Sequence, residues 1–480
     1  MTASFFWYTI GRLQKYCNIC LLEMRCLMKK EIDMLHGSLW DKLIFFALPM
    51  AATSILQQLF TATDLAVVGK FNSSDAMAAV GSNAPLINLL IGLFIGLSIG
   101  ANVLIASLIG KGDRRRISEA VHTVLAVALI CGFLLLAAGE VIAPWLLAFM
   151  GTPGDVFHMA RLYLRIYFLG MPFFMIYNFG SAILRSKGDS THPLISLALA
   201  GLINVFGDLL LVIVFHMGVA GVAIATVSSM GVNAFMTLYF LAAEPDEFHF
   251  SWRKLCLRRS FVAKILQIGV PAGLQGVIFS FSNVIIQSAI NSFGADCIAG
   301  NTAGQNFEYM AYFVINAFSQ TAVTFTSQNF SAGRRDRCAR VYQLCTLEGL
   351  SAAALLGGIF ALGRHSLILI FTKDPAVMEY AYIRILFVAM LELMTGVYEI
   401  SGGCLRGMGH SLTPTVLTTL GCCGVRLVWI ATAFRKWHDI HVLMSIYPIT
   451  WAITGTVVTI TYFIIRRREF RRMSAAGAEG

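Results

Sequence analysis

Long apolar stretches fill most of the chain, and short polar joints separate them. A helix needs about 20 apolar residues to cross the hydrocarbon core of a bilayer. Twelve stretches reach that length, and they begin near Leu43, Ala79, Ala120, Val156, Pro193, Val219, Phe261, Ile298, Val341, Ala376, Pro414 and Val442. Several contain Gly or Pro, which predicts kinked or tilted helices. The pattern therefore predicts an all-α membrane protein with twelve transmembrane helices.

Composition supports this prediction, because 57% of the 480 residues are hydrophobic and only 13% are charged. Basic residues concentrate in every second joint and in the tail, as KGDRRR, LRSKGD, WRKLCLRR, GRRDRCAR, LRG and RRREFRR. This positive-inside pattern predicts that both termini are cytoplasmic. We therefore expect a multi-pass protein of the inner (cytoplasmic) membrane. The net charge of +10 lies in these joints, so we expect no nucleic-acid partner.

The chain repeats itself at a fixed spacing. The strings LRSKGDSTHP at 184–193 and LRGMGHSLTP at 405–414 share the pattern L-R-x-x-G-x-S-x-x-P and lie 221 residues apart. Gly112 matches Gly333 and Asp75 matches Asp296 at the same spacing, and Pro49 matches Pro271 at 222. We therefore predict two homologous six-helix lobes. Because six is even, a pseudo-two-fold axis along the membrane normal relates them.

These patterns give the expected domain boundaries. We expect an N-terminal cytoplasmic segment at 1–38, an N-lobe at 39–243, a cytoplasmic linker at 244–260, a C-lobe at 261–466 and a cytoplasmic tail at 467–480. Met28 begins MKKEIDMLHG, which is typical of a start of translation. Whether residues 1–27 belong to the native protein stays open.

Few acidic residues lie well inside apolar segments, and the clear ones are Asp64, Asp208, Glu308, Glu392 and Glu399. An unpaired charge at the centre of a bilayer costs about 2.5 to 3.5 kcal/mol even on the mildest scale. Asn204 and Asp208 are four residues apart, so they share one helix face. Asp64 and Asp208 are expected at similar depth, which favours a shared pocket. The alternative is that each carboxylate is neutralised separately and serves packing.

The duplication provides an internal control. At a spacing of 221, Asn204 and Asp208 correspond to Val425 and Trp429. Asp64 corresponds to Ile285 or Ile286, at a spacing of 221 or 222. Only the N-lobe carries the acids. A structural requirement of the bundle would recur in both lobes, so this asymmetry favours a functional role.

The motifs ALP, TATDLAVVG, LRSKGDSTHP and NVFGD resemble those of the multidrug and toxic compound extrusion (MATE) family, over nearly the whole chain from about Met28. The resemblance implies an N-lobe cation site, with an aspartate on helix 1, Asn-x-x-x-Asp on helix 5 and a threonine on helix 6. The implied residues are Asp64, Asn204, Asp208 and Thr226, with Asn178 as an additional polar residue on helix 4. Pro49 matches the proline at which helix 1 bends in the family.

The chain departs from the family pattern at two places. Members of the NorM branch carry an acid on helix 7, whereas no acid lies between Lys264 and Asp296 here. We therefore expect no second cation site in the C-lobe. Leu209 replaces the proline that often follows the helix 5 aspartate, which leaves the local helix geometry open.

Two carboxylates in one poorly solvated pocket cannot both stay charged alone, so the pair is expected to take up a proton or a small cation. Oxygen atoms of Asp64, Asn204, Asp208 and Thr226 suit Na+, and the same set serves H+. The coupling ion therefore stays open between H+ and Na+, and we expect no other cofactor.

A substrate cavity is the second expected site. Its candidate residues are Met175, Tyr177, Gln275, Phe279, Asn283 and Glu399. Methionine adapts its shape to varied ligands, although such residues also serve as simple packing. Glu399 and Glu392 could contact cationic substrates or pair with Arg406 and Arg384.

Three functional classes remain. The leading hypothesis is a monomeric antiporter that exports amphipathic, often cationic, small molecules by alternating access, in exchange for H+ or Na+. The second is a flippase for lipid-linked precursors, which would need a wide basic cavity. The intramembrane arginines are few, namely Arg165, Arg384 and Arg426. The third is a membrane-embedded enzyme, which we do not expect because the sequence has no nucleophile, metal or acid/base motif. The sequence also has no phosphate-binding loop, so we do not expect an ATP-driven pump.

Overall fold

A computed structural model describes residues 31–71, 76, 79–81, 83–149 and 154–478. This part of the chain is almost entirely helical, and we group its helices into twelve elements, α1 to α12. The expectation about residues 1–27 and the match at Asp75 lie outside the described residues.

The first six elements form the N-lobe. They are α1 (Trp40–Phe71), α2 (Ala84–Gly110), α3 (Arg114–Phe149), α4 (Gly154–Leu169 and Met171–Lys187), α5 (Thr191–Asp208, continued by a π-helix at Leu209–Val214) and α6 (Gly218–Ala243). The two parts of α4 meet at Gly170 with a bend of 48°.

The last six elements form the C-lobe. They are α7 (Arg259–Asn291), α8 (Ala295–Ser331), α9 (Arg335–Ile368), α10 (Pro375–Arg384, a π-helix at Ile385–Ala389, and Leu393–Gly407), α11 (Leu412–Phe434) and α12 (Ile440–Ala478). Within α11, π-helices occupy Thr419–Gly424 and Ile430–Phe434. Helix α12 continues through residues 467–478, which lie in the predicted cytoplasmic tail.

Most of these elements are apolar enough to cross a bilayer without help. Among the described residues, nine helices meet a length and hydropathy criterion for a span, and the bent α4 gives a tenth. Helices α8 and α10 are the two more polar elements. Their polar side chains face the protein interior and a central cavity, as the buried Asn301 and Glu392 illustrate. This burial explains how polar helices are tolerated within the bundle.

The repeated glycines form equivalent turns in the two lobes. Gly112 and Gly333 have φ of 69° and 75°, and Gly188 and Gly409 have φ of 112° and 94°. Only glycine adopts this left-handed region without strain. The helix irregularities repeat as well, because the π-helix that begins at Leu209 corresponds to the one that begins 221 residues later at Ile430.

The lobes pack closely at the end that carries the basic joints. A Cβ atom added to Gly96 would lie 2.2 Å from the backbone nitrogen of Gly273, so α2 and α7 touch through their backbones. Nearer the basic end, Ser327 Oγ donates to the Val103 carbonyl at 3.0 Å. Gln328 Nε2 donates to the Ser186 carbonyl at 2.6 Å. These contacts close the seam between the lobes at that end.

We predict that Gly96→Ala lowers the free energy of unfolding by about 1 to 3 kcal/mol, because the added methyl group must displace the α7 backbone. Gly231→Ala is the matched control, since a Cβ there meets no atom within 4 Å and alanine favours the helix. Thermal unfolding of the purified protein in detergent measures both. Equal midpoints for the two variants would contradict the close contact.

Candidate functional site

A glycine brings α1 and α5 together beside the predicted cation site. A Cβ atom added to Gly201 would lie 1.9 Å from the Phe60 ring, so the ring occupies the place of a side chain at that position. Asp64 lies one turn after Phe60 on α1, and Asn204 and Asp208 lie one and two turns after Gly201 on α5. Side chains one turn apart share a helix face, so the contact turns the three polar groups towards each other.

The structure places the four sequence-predicted residues in one cluster. Asp64, Asn204 and Asp208 are 8%, 4% and 0% exposed, and the Asp64 carboxyl group interacts with both Asp208 and Asn204. Thr226 Oγ1 on α6 lies 3.4 Å from Asp64 Oδ2 and 2.9 Å from the Val222 carbonyl. Helix α1 and the consecutive helices α5 and α6 therefore supply one polar pocket.

Several polar atoms of this pocket have no hydrogen-bond partner within the described residues. They are Asp64 Oδ1, both carboxyl oxygens of Asp208, and Asn204 Nδ2. A buried polar atom without a partner costs about 1 to 3 kcal/mol. The donor set therefore fits a small cation such as Na+, which the free oxygens would ligate, or a proton held between the two carboxyl groups.

Two tyrosines of α4 complete the surroundings, and the sequence analysis missed them. Tyr163 reaches Thr226 with its hydroxyl group, and its ring stacks on Tyr167 with centroids 5.8 Å apart. Both tyrosines lie close enough to Asp64 for an electrostatic interaction with its carboxyl group. The i, i+4 spacing of the two tyrosines in an apolar helix was the available indication.

Apolar side chains pack around the pocket. Val67 and Val68 of α1 form one buried cluster with Val212, Val219 and Tyr163. This packing excludes water from one side of the acids, which strengthens their interaction with a bound cation or proton.

Asn178, Pro49 and Leu209 are the other N-lobe residues that the sequence analysis singled out. Asn178 Nδ2 donates to the Phe174 carbonyl of its own helix at 2.9 Å, and in the described residues no hydrogen bond joins it to the four-residue cluster. Pro49 lies inside the continuous helix α1. Leu209 begins the π-helix; because the C-lobe has a π-helix at the equivalent position, this irregularity belongs to the shared fold.

Among the described residues, the C-lobe has no acid pocket at the equivalent positions. Trp429, which corresponds to Asp208, donates its Nε1 hydrogen to the Val442 carbonyl at 3.0 Å. Ile286, which corresponds to Asp64 at a spacing of 222, is 1% exposed in the apolar core. The same backbone frame therefore carries packing residues in one lobe and acids in the other.

A central cavity of about 420 Å³ lies between the lobes. Four residues of α2, Gly92, Ile95, Gly96 and Ile99, supply its N-lobe wall. The C-lobe supplies the rest from five helices: Ala272, Gln275, Gly276, Phe279, Asn283, Glu308, Tyr309, Tyr312, Asn316, Gln320, Glu392, Thr395, Tyr398, Glu399, Arg406, Arg426, Tyr447 and Trp451.

Four of the six predicted cavity residues belong to this lining, and two lie elsewhere. Gln275, Phe279, Asn283 and Glu399 line the cavity. Met175 is instead fully buried in the N-lobe core. Tyr177 is 4% exposed and its hydroxyl group donates to the Pro193 carbonyl at 3.4 Å. Met175 packs in the same buried cluster as Phe179 and Leu241, so this face of α4 is turned towards the N-lobe interior.

Ion pairs hold part of the cavity wall. Arg384 donates through Nε and Nη2 to Glu308 Oε2 at 2.9 and 2.6 Å. The partner of Arg384 is thus Glu308, which corrects the expected pairing with Glu392. Arg406 Nη1 lies 4.0 Å from Glu399 Oε2, as the pairing alternative expected, and its Nη2 donates to Gln275 Oε1 at 2.8 Å.

The geometry defines a membrane protein of two six-helix lobes, with a buried acid pair in one lobe and a polar cavity against the other. Comparison with known proteins gives the family. The family model described as MatE matches residues 49–210 and 271–431. The two matched ranges begin 222 residues apart and end 221 apart, which agrees with the internal repeat. The chain belongs to the MATE family.

Curated relatives and solved structures agree with this assignment. "Probable multidrug resistance protein YoeA" of Bacillus subtilis is 25% identical over 453 residues, covering 91% of this chain and 96% of the relative. "Probable multidrug resistance protein NorM" of Thermotoga maritima is 27% identical over 406 residues, covering 84% and 87%.

A solved structure described as the outward-facing conformation of a multidrug resistance MATE family transporter of the MOP superfamily superposes with a TM-score of 0.82. It is 21% identical, and the match covers 93% of this chain and 99% of that one. This similarity confirms the twelve-helix, two-lobe fold.

We predict that Arg384→Met destabilises the protein by about 3 to 5 kcal/mol, because Glu308 would keep a buried charge without its partner. The double variant Arg384→Met with Glu308→Gln should recover most of that loss, since it removes both charges. Thermal unfolding in detergent compares the three proteins. Equal stability of the single and double variants would contradict the pairing.

Proposed function

We propose that this protein is a secondary active antiporter that exports amphipathic, often cationic, small molecules in exchange for H+ or Na+. The observation that carries the proposal is the N-lobe pocket of Asp64, Asn204, Asp208 and Thr226. Three of its four carboxyl oxygens, Asp64 Oδ1 and both of Asp208, are buried without a hydrogen-bond partner within the described residues. Such a pocket gains stability when it takes up one cation and loses it when the cation leaves.

Family membership supports the export of small molecules. The Bacillus and Thermotoga relatives are both named as probable multidrug resistance proteins, and over four fifths of this chain aligns with each. A central cavity of about 420 Å³ falls within the range of small-molecule sites.

The arrangement of the lobes supports alternating access. The seam is closed at the basic end, which the positive-inside rule assigns to the cytoplasm. The cavity lies next to this closed part, since Gly96 belongs to both. The acid pair lies in the N-lobe, whereas most of the cavity wall belongs to the C-lobe. Ion and substrate therefore influence one another through movement of the lobes and not through direct contact.

The proposal extends to the membrane location, the orientation and the oligomeric state of the protein. We place it as a monomer in the inner (cytoplasmic) membrane with both termini in the cytoplasm, and we assign it no enzymatic activity. A flippase for lipid-linked pyrophosphates is disfavoured, because the charged residues that line the cavity include three glutamates against two arginines.

We predict that Asp64→Asn and Asp208→Asn each abolish ion-driven efflux while the protein stays folded, because asparagine keeps the volume and removes the titrating charge. Asp296→Asn, at an exposed position on α8, is the matched control and should transport like the wild type. Dye efflux from proteoliposomes with imposed H+ or Na+ gradients measures the effect. Full gradient-driven efflux by both site variants would refute the coupling role.

Substrate charge should determine the response to membrane potential. For a substrate with no net charge exchanged for one inward cation, about 100 mV supplies about 2.3 kcal/mol. At about 1.4 kcal/mol per tenfold, this sustains roughly fifty-fold accumulation. For a monovalent cation exchanged one for one, no net charge moves and the potential has no effect. Efflux under imposed potentials, at fixed ion gradients, distinguishes the two; potential-driven export of the monovalent cation would contradict one-for-one exchange.

A further inference from the structure

A surface cavity of about 430 Å³ lies between α9 and α12 at the basic end of the protein. Its lining consists of four arginines, two aromatic residues and a serine: Arg335, Arg466, Arg467, Arg471, Phe463, Phe470 and Ser474. Arg335 belongs to α9 and the others belong to α12. The Arg335 guanidinium group donates to the Ser474 hydroxyl group, which carries no charge. Four positive charges therefore share one cavity.

No acid balances this charge within the described residues. Glu469 is the only acid between Arg466 and Ser474, and its Oε1 atom lies 3.0 Å from Arg472 Nη1 and 3.5 Å from His410 Nε2. None of the four cavity arginines lies within ion-pair distance of a carboxylate in that part of the chain. The cavity is therefore suited to an anion from outside the chain, which would lower the repulsion between the guanidinium groups.

The N-lobe provides an internal control, because its equivalent arginine has an acidic partner. At a spacing of 221, Arg335 corresponds to Arg114 of α3. Arg114 Nε lies 3.9 Å from Oε1 of Glu247, which follows α6. Glu247 corresponds to Arg468 of α12, so one lobe carries an acid where the other carries a further base. The unbalanced charge is specific to the C-lobe and is not a requirement of the shared fold.

Helix α12 is also longer than its N-lobe equivalent. Helix α6 ends at Ala243, which corresponds to Ile464, whereas α12 continues to Ala478. At about 1.5 Å per residue, the additional residues 465–478 form about 21 Å of helix. Phe463 and Ile464, directly before the arginines, are 42% and 63% exposed. The arginines therefore follow the last lipid-facing apolar side chains, at the level of the phospholipid headgroups.

Aromatic rings hold one of the arginines in place. The guanidinium carbon of Arg466 lies 4.7 Å from the centre of the Phe463 ring, 5.4 Å from that of Tyr462 and 5.9 Å from that of Phe470. Cation–π contacts of this kind orient a guanidinium group without using all of its N–H donors. Arg466 is thus positioned before a ligand binds, which lowers the entropic cost of binding.

We propose that this cavity binds the phosphate headgroup of an anionic phospholipid from the leaflet that we assign to the cytoplasmic side. Guanidinium groups match phosphate oxygens with paired hydrogen bonds, and the acyl chains of such a lipid would pack on the exposed Phe463 and Ile464. A free phosphate ion has no group for these apolar side chains. A zwitterionic phospholipid carries a cation next to its phosphate, which the arginines repel. The proposal goes beyond the transport function and does not depend on the exported substrate.

Native mass spectrometry of the purified full-length protein measures lipid binding directly. Phosphatidylglycerol and phosphatidylcholine with the same acyl chains are titrated in separate samples. We expect phosphatidylglycerol to bind more tightly, by on the order of a hundredfold, because each basic residue near an anionic lipid contributes about 1 kcal/mol and about 1.4 kcal/mol corresponds to tenfold.

Paired variants assign that preference to the cavity. Arg467→Gln combined with Arg471→Gln should weaken phosphatidylglycerol binding roughly thirtyfold and change phosphatidylcholine binding little. Arg253→Gln combined with Lys254→Gln is the matched control, because it removes the same charge from exposed positions in the linker between the lobes. The control should bind phosphatidylglycerol like the wild type. Gel filtration confirms that both variants are folded.

Thermal unfolding in detergent distinguishes a lipid from free phosphate. Phosphatidylglycerol should raise the unfolding midpoint of the wild type, whereas inorganic phosphate in excess should raise it less. Equal binding of the two lipids, or an equal loss of phosphatidylglycerol binding in the control variant, would overturn the proposal. Equal stabilisation by inorganic phosphate would also overturn it, because the site would then recognise phosphate without the acyl chains.

Discussion

Burying two carboxyl groups beside one another in a membrane protein constrains the whole N-lobe. Like charges a few ångströms apart in a poorly solvated pocket cannot both persist, so the pair must hold a cation or a proton, or be satisfied by donors. The described residues supply too few donors, because both oxygens of Asp208 lack a partner. Gly201 lets α1 approach α5 so that the acids meet, and Tyr163 and the valine cluster cover them. The packing around Asp64 and Asp208 therefore keeps two carboxyl groups together that need a bound cation or proton.

Duplication followed by divergence explains how the remaining chemistry is distributed. Both lobes keep the left-handed glycines and the π-helix in their fifth helix, so these features belong to the fold. The buried acids and Arg384 are lobe-specific, whereas Arg406 corresponds to Arg185 of the N-lobe. At a spacing of 221, Arg384 of α10 corresponds to Tyr163 of α4, and Glu399 corresponds to Asn178. One lobe thus carries an acid pair on its first and fifth helices, and the other carries ion pairs around a cavity.

Much of this organisation could be predicted from the sequence, because bilayer thickness and the repeat leave few alternatives. Twelve helices, two lobes and the convergence of Asp64, Asn204, Asp208 and Thr226 follow from apolar length, spacing and resemblance. Side-chain direction in α4 could not be predicted in the same way. Met175 and Tyr177 lie in the core, although periodicity and composition suit a cavity wall equally well. Tyr163 and Tyr167 were missed because tyrosine in an apolar helix usually serves packing.

We propose that the acid pair binds a cation whose release is linked to substrate binding. The most direct measurement is cation release when dye is added to the purified protein, followed by a pH indicator for H+ and by a radioactive tracer for Na+. We predict that about one cation leaves per dye bound by the wild type, and that none leaves from Asp64→Asn or Asp208→Asn. Dye binding by the wild type with no release of either ion would contradict the account.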